Sequence, residues 1–201
     1  MTFSRIGASW AGYPPIDWVP PPRSSRALAH ARARAVAHDP TLRAFVDTEV
    51  LVAAVDTADP DRRLVARGIL SLDAYSEIVT SAQVLSEFHT AVRRLAVPVD
   101  EQVALALVRE LVREATVVPV TAADVLAAIR VATATIGPGL ASGEELTLRD
   151  ALVVRAALAA GCDVLLTRRV EDGTRYVGLD GRGGPDAVAG DGGLVVEDPF
   201  V

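Results

Sequence analysis

A short apolar run that gives way at once to an acid and a helix start is the feature that most restricts what this chain can fold into. Residues 43–52 supply it. Ala44-Phe45-Val46 reads as a brief buried strand, and Asp47-Thr48 then offer N-cap chemistry to an apolar helix through Val55. The same kind of junction recurs. Ile78-Val79-Thr80 is followed by the capping residue Ser81 and a helix whose Val84, Leu85, Phe88, Ala91, Val92 and Leu95 share one face. A strand over 116–120 leads into Thr121 and Asp124 at capping-box spacing, opening a helix over 122–135. Thr147 and Asp150 repeat that spacing at the head of a helix over 148–160, which Gly161 stops before a strand over 163–167. Two more helices are predicted, over 62–75 after the loop Asp59-Pro60-Asp61 and through Glu114 behind the cap Asp100. Strands alternating with helices predict an α/β domain with a central parallel sheet of four strands, or five if Leu194 to Val196 adds a last one.

The 201 residues are enough for one such domain with a full core and some appended material. The expected appendage is residues 1–42. Trp10, Trp18, Pro14, Pro15 and the run Pro20-Pro21-Pro22 read as a polyproline-type arm, and a helix through Ala37 carries Arg26, Arg32 and Arg34 before Asp39-Pro40 breaks it. That segment suits a basic arm for RNA or a partner protein, a surface helix packed on the domain, or a poorly ordered extension. The domain itself is expected over 43–201, with a loop at 178–193 that holds seven glycines.

Charge narrows the functional classes. The 20 basic residues, all of them Arg, face 26 acidic ones for a net charge of -6. Nucleic-acid binders are usually basic, so any RNA contact here must use local Arg clusters. The single Cys162 excludes an intramolecular disulfide, and with His30, His38 and His89 it shows no zinc spacing. The chain shows neither a signal-peptide core nor an apolar run of membrane length, so a cytoplasmic protein with no membrane contact is expected.

Three acids share a description. Asp47 ends strand one, Glu87 lies at the edge of the apolar face of the helix after strand two, and Asp150 opens the helix before strand four. Each has a structural use: Asp47 as N-cap, Asp150 as an acid stabilised by the helix dipole, Glu87 as a carboxylate needing a partner. If strand one is central, all three can also meet at its carboxyl edge, where open α/β sheets bind ligands. A carboxylate cluster without Cys or His suits a hard cation, Mg2+ or Mn2+, and such ions support hydrolysis of phosphodiesters. An aspartyl-phosphate enzyme using Asp47 as the phosphoryl acceptor is a weaker reading, because the chain has no Lys.

Phe45-Val46-Asp47-Thr48-Glu49-Val50-Leu51, Ser81 through Phe88, Asp150-Ala151-Leu152 and Gly161 through Thr167 together resemble the PIN domain, in particular the VapC-type toxins of bacterial toxin–antitoxin pairs. Glu171-Asp172-Gly173 and Asp198-Pro199-Phe200 are similar to one VapC subgroup. The resemblance spans about residues 43–201. It implies a three-layer α/β/α sandwich, magnesium-dependent endoribonuclease activity, a homodimer, and neutralisation by a cognate VapB-like antitoxin. It also implies that Asp47, Glu87 and Asp150 are the metal-binding acids. Two departures stand out. Glu49 replaces the usual Asn, and Arg168-Arg169 stand where a fourth acid usually follows the last strand. Arg for acid beside a divalent ion reverses an interaction of roughly 4 kcal/mol per charge pair at about 4 Å and an effective dielectric near 20. Asp172 would supply the missing ligand if its segment were helical. Alternatively, Arg169 would grip the scissile phosphate, with Thr48, Thr167 and Arg168 as further phosphate-binding candidates. The alternative is a PIN fold that has lost turnover and acts by binding protein or RNA.

Overall fold

The computed structural model describes residues 41–70, 75–133, 146–176 and 193–201. The arm and Arg-rich helix expected before residue 41, the far end of the 122–135 helix and all of the 178–193 loop but Gly193 lie outside the described residues. In chain order the elements are β1 (Arg43–Val46), α1 (Thr48–Val55), α2 (Pro60–Leu70), β2 (Glu77–Ser81), α3 (Ala82–Val92), α4 (Glu101–Glu114), β3 (Thr116–Val118), α5 (Ala122–Thr133), α6 (Leu148–Ala159), β4 (Val164–Leu166), β5 (Arg175–Tyr176) and β6 (Leu194–Glu197).

The strands form one sheet in the order β3-β2-β1-β4-β6-β5. The first five are parallel, as expected; β5 pairs antiparallel with β6 and makes the sheet mixed. Two residues are too few to carry a periodic signal, so β5 was invisible in the sequence. Gly173, at φ +80°, turns the chain into it, a left-handed conformation that glycine adopts without strain. Helix α2 begins earlier than expected, at Pro60, whose fixed φ and missing N–H suit a first helical turn, and it continues to Leu70, beyond which residues 71–74 of the expected helix lie outside the described residues.

Both faces of β1 are covered, since Ala44, Phe45 and Val46 are fully buried. Helix α1 packs on α2 and α3, and α5 on α6, giving helix layers on the two sides of the sheet. Phe45, Phe88, Leu51 and Leu165 are among the largest fully buried side chains, each contributing on the order of 1.5–3 kcal/mol of burial. At the amino edge Arg43 stitches three elements together. It ion-pairs with Glu77 at 2.8 Å, its guanidinium donates to the Ala160 carbonyl, and its N–H donates to Asp163 at 2.8 Å.

Sheet order fixes where a ligand can sit. From β1 the chain steps through β2 to β3 on one side, and then α6 returns it to place β4 on the other side of β1. Such a reversal opens a crevice at the carboxyl ends of the two strands. Val46, Leu166 and Glu197 are level in register, so Asp47, Thr167 and Asp198 are the next residues out on that edge.

Candidate active site at the carboxyl edge

Asp47 is the N-cap of α1 and is 1% exposed. Its N–H donates to the Leu166 carbonyl at 3.2 Å, which ties it to β4. Its Oδ1 accepts the Thr48 N–H at 2.6 Å and its Oδ2 accepts the Thr167 hydroxyl at 2.7 Å. Burial raises the pKa of this carboxyl above its ordinary value, against the lowering effect of the Thr167 and Thr48 hydrogen bonds and the Arg169 charge. The cap reading of Asp47 is therefore correct, and it leaves the acid at the mouth of the crevice.

Asp150 lies in the first turn of α6. Its N–H donates to the Thr147 hydroxyl at 3.2 Å while that hydroxyl donates to Asp150 Oδ2. The other oxygen, Oδ1, is buried with no hydrogen-bond donor and faces Arg169 at 3.6 Å. The helix cap and the crevice thus use different oxygens of one carboxylate.

Glu87 approaches from α3, whose cap Ser81 accepts the Val84 N–H at 3.2 Å. Glu87 Oε2 accepts from the Thr48 hydroxyl at 3.0 Å and from Arg149 Nε at 2.6 Å, and Oε1 accepts from Gln83 at 2.8 Å. Partial burial works to raise its pKa, but the bonds from Arg149, Gln83 and Thr48 outweigh it and hold the carboxyl below its ordinary value. Thr48 links Asp47 to Glu87, since its N–H serves the first and its hydroxyl the second.

Arg169 stands among the acids, at 3.3 Å from Glu49, 3.6 Å from Asp150 and 4.0 Å from Asp47. Glu49, the unexpected acid of the sequence, thereby becomes part of the cluster. Arg168 turns away, pairing with Asp198 at 3.4 Å from a half-exposed position. Asp172 corrects an expectation: its segment is a turn rather than a helix, and its Oδ1 accepts the Asp198 N–H at 2.8 Å, so it anchors the C-terminal strand exit. Arg149 was missed from the sequence. A cation in the first turn of a helix opposes the helix dipole and needs a compensating partner, and that was the available signal.

Among the described residues no three His, Cys, Asp or Glu side chains stand together as a ready cation cage; the carboxylates are engaged by guanidinium groups. The donor set still fits a hard divalent ion. It is all oxygen, and Asp150 Oδ1 and Glu49 Oε2 are buried acceptors with no donor. Asp47, Asp150 and Glu87 would hold the ion, with Glu49 beside them. Beyond Arg169 a cleft of about 300 Å³ opens, lined by Thr48, Glu49, Val52, Arg62 and Arg168 among others. Burial pushes the hydroxyl of Tyr176 up to about 12, with the Asp150 charge adding to it.

No helix among the described residues is long and apolar enough to cross a membrane. Among solved structures the chain is similar to VapC20 of Mycobacterium tuberculosis, described as a Sarcin-Ricin loop cleaving toxin, with 21% identity over 61% of this chain and 86% of that one and a TM-score of 0.48. It is similar to FitAB bound to an IR36 DNA fragment, with 13% identity, 79% and 96% covered and a TM-score of 0.50. It is also similar to VapBC2 of Rickettsia felis bound to a DNA fragment from their promoter, with 15% identity, 63% and 87% covered and a TM-score of 0.44. No curated protein sequence matches. Residues 44–168, which run from β1 through the three acids to the end of β4, match the family model of the PIN domain, and the chain belongs to that family.

Proposed function

We propose that this chain is a magnesium- or manganese-dependent endoribonuclease, the toxin of a toxin–antitoxin pair, acting in the cytoplasm as a homodimer. The observation that carries the reading is the meeting of Asp47, Asp150 and Glu49 around one cation, Arg169, at the switch-point crevice, with Glu87 tied in through Thr48. The metal supplies an activated water and charge stabilisation for the leaving oxygen of a phosphodiester. Thr167 and the Thr48 N–H hold Asp47 in one orientation, Thr147 holds Asp150, and Gln83 with Arg149 holds Glu87. Fixing the acids in this way lowers the reorganisation needed when charge develops.

The VapB-like antitoxin follows from the motif resemblance and from charge. Four carboxylates (Asp47, Glu49, Glu87, Asp150) against two guanidinium groups (Arg149, Arg169) leave a formal -2, which a basic peptide side chain would offset. A second reading, a PIN fold without turnover, is favoured by the same Arg169 in the place of a fourth acid. Cleavage of mixed RNA by the purified full chain, with Mg2+, with Mn2+ and with chelator, separates the two. The enzyme reading expects metal-dependent, chelator-sensitive cleavage that Asp47→Asn abolishes. Cleavage that survives both chelator and Asp47→Asn, or no cleavage with either ion, defeats it.

A further inference from the structure

Arg169 is held in this site in two unlike ways. Its backbone N–H donates to the Thr167 hydroxyl oxygen at 3.2 Å, and that hydroxyl donates to Asp47. The backbone is therefore pinned to the cluster. The guanidinium is held by charge alone. Its separations from Glu49, Asp150 and Asp47 run from 3.3 to 4.0 Å, and its buried Nε–H has no hydrogen-bond acceptor. A guanidinium that clamps an oxyanion does so as a planar fork with short, paired hydrogen bonds. This one is a counter-ion among carboxylates. Facing it, Asp150 Oδ1 and Glu49 Oε2 are buried acceptors without donors. Donor and acceptors both carry the penalty of unmade hydrogen bonds, and a better partner for either would recover it.

Resting on the ribonuclease reading, we infer that Arg169 is a built-in counter-cation that competes with the divalent metal for Asp47, Glu49 and Asp150, and that an RNA phosphate draws it off, so that metal and RNA load cooperatively. A phosphate offers the guanidinium the bidentate geometry that these three carboxylates do not. Rotation of the side chain is all the exchange requires, because the backbone stays on Thr167. The adjoining cleft, with Arg62 and Arg168 in its lining, gives the side chain and the phosphate a place to meet. Linkage makes the effect reciprocal: whatever removes Arg169 from the acids raises metal affinity, and metal that displaces Arg169 raises phosphate affinity by the same factor.

The test is calorimetric titration of Mn2+ into the full chain, with and without a nuclease-resistant phosphorothioate oligoribonucleotide, for wild type, Arg169→Ala and the size-conserving Arg169→Gln. Wild type is expected to bind Mn2+ at least about fivefold more tightly when the oligonucleotide is present, the lower end of ordinary coupling between sites. Both variants are expected to bind Mn2+ more tightly than wild type without oligonucleotide and to gain nothing from it. Equal Mn2+ affinity in all three proteins, or the same oligonucleotide effect in all three, overturns the inference and leaves the metal-dependent reading standing. If no protein binds Mn2+ under any condition, the inference and the metal-dependent reading fall together.

Discussion

Thr121-Ala122-Ala123-Asp124 and Thr147-Leu148-Arg149-Asp150 are one device used at two helix starts. In both, the Asp N–H donates to the Thr hydroxyl at 3.2 Å and that hydroxyl donates to Asp Oδ2. In both, the remaining Oδ1 faces an arginine, Arg155 at 3.9 Å from Asp124 and Arg169 at 3.6 Å from Asp150. The difference lies beyond the pair. Arg155 sits on the neighbouring helix α6 and binds α5 to it, a one-to-one clamp between packed helices. Arg169 follows β4 at the switch point and is shared with Asp47 and Glu49. A capping box identifies a helix start; the number of carboxylates around one guanidinium identifies a site.

The largest effect that would sharpen this contrast is on turnover. Asp150→Asn keeps the cap oxygen but removes the charge, and ribonuclease activity is expected to fall by at least about 10²-fold, the scale of losing one preorganised charge stabiliser. Asp124→Asn, the same change in the other box, is expected to leave activity within about twofold. Initial cleavage rates at saturating Mg2+ decide it, and an equal loss in both variants would put Asp124 in the site and erase the distinction.

Next in size is an opposition in the pH dependence of stability, with Asp47 against Asp124. Burial raises the pKa of Asp47 above 3.8, so the native state binds more protons than the unfolded one between 3.8 and the raised value. Stability falls as pH rises through that window and stays lower above it. Asn at 47 can still accept the Thr48 N–H and donate to the Thr167 oxygen, and it cannot ionise. Asp47→Asn is therefore expected to be at least as stable as wild type at neutral pH while inactive. Asp124 behaves oppositely, because its bonds from Thr121 lower its pKa below 3.8. Its contribution is full above 3.8 and is lost as pH falls through the lowered value, so Asp124→Asn is expected to be less stable at neutral pH and equal to wild type in strong acid. Chemical unfolding across a pH series measures both. Destabilisation of equal size and shape in the two variants would contradict the burial of Asp47 as the dominant influence.

Much of the fold was legible because strands and caps are local signals: β1 and β2 lie where short apolar runs meet capping residues, β4 is a short apolar run after the helix stop at Gly161, and five of the six strands are parallel. What failed were short or non-local features. The two-residue strand β5 has no period, and the role of Asp172 depended on a helix that a turn replaces. The acids were legible as acids with a common placement, because sheet order carries Asp47 to the carboxyl edge. Their partners were not. Arg149 reaches Glu87 across 62 residues of sequence, and no spacing rule connects the two. Arg169 was visible as a departure from the expected acid, but that it would stand between Glu49, Asp47 and Asp150 depended on the return of β4 beside β1.

The smallest effect separates cap from site within a single residue. Thr121→Ala and Thr147→Ala each remove an N-cap hydroxyl, and each is expected to lower stability by about 1 kcal/mol. On stability the two boxes should look alike. On activity they should not, because the Thr147 hydroxyl also holds Asp150 Oδ2 and so keeps Oδ1 aimed at the crevice. Without it Asp150 rotates freely about its terminal torsion, and a loss of about 10- to 100-fold, the scale seen when a partner orienting a metal ligand is removed, is expected. Thr147→Ser, which restores the hydroxyl, should recover both stability and rate. If Thr147→Ala costs stability but no rate, while Asp150→Asn still abolishes turnover, then the Thr147 hydroxyl serves the helix cap alone and does not orient Asp150 in the site.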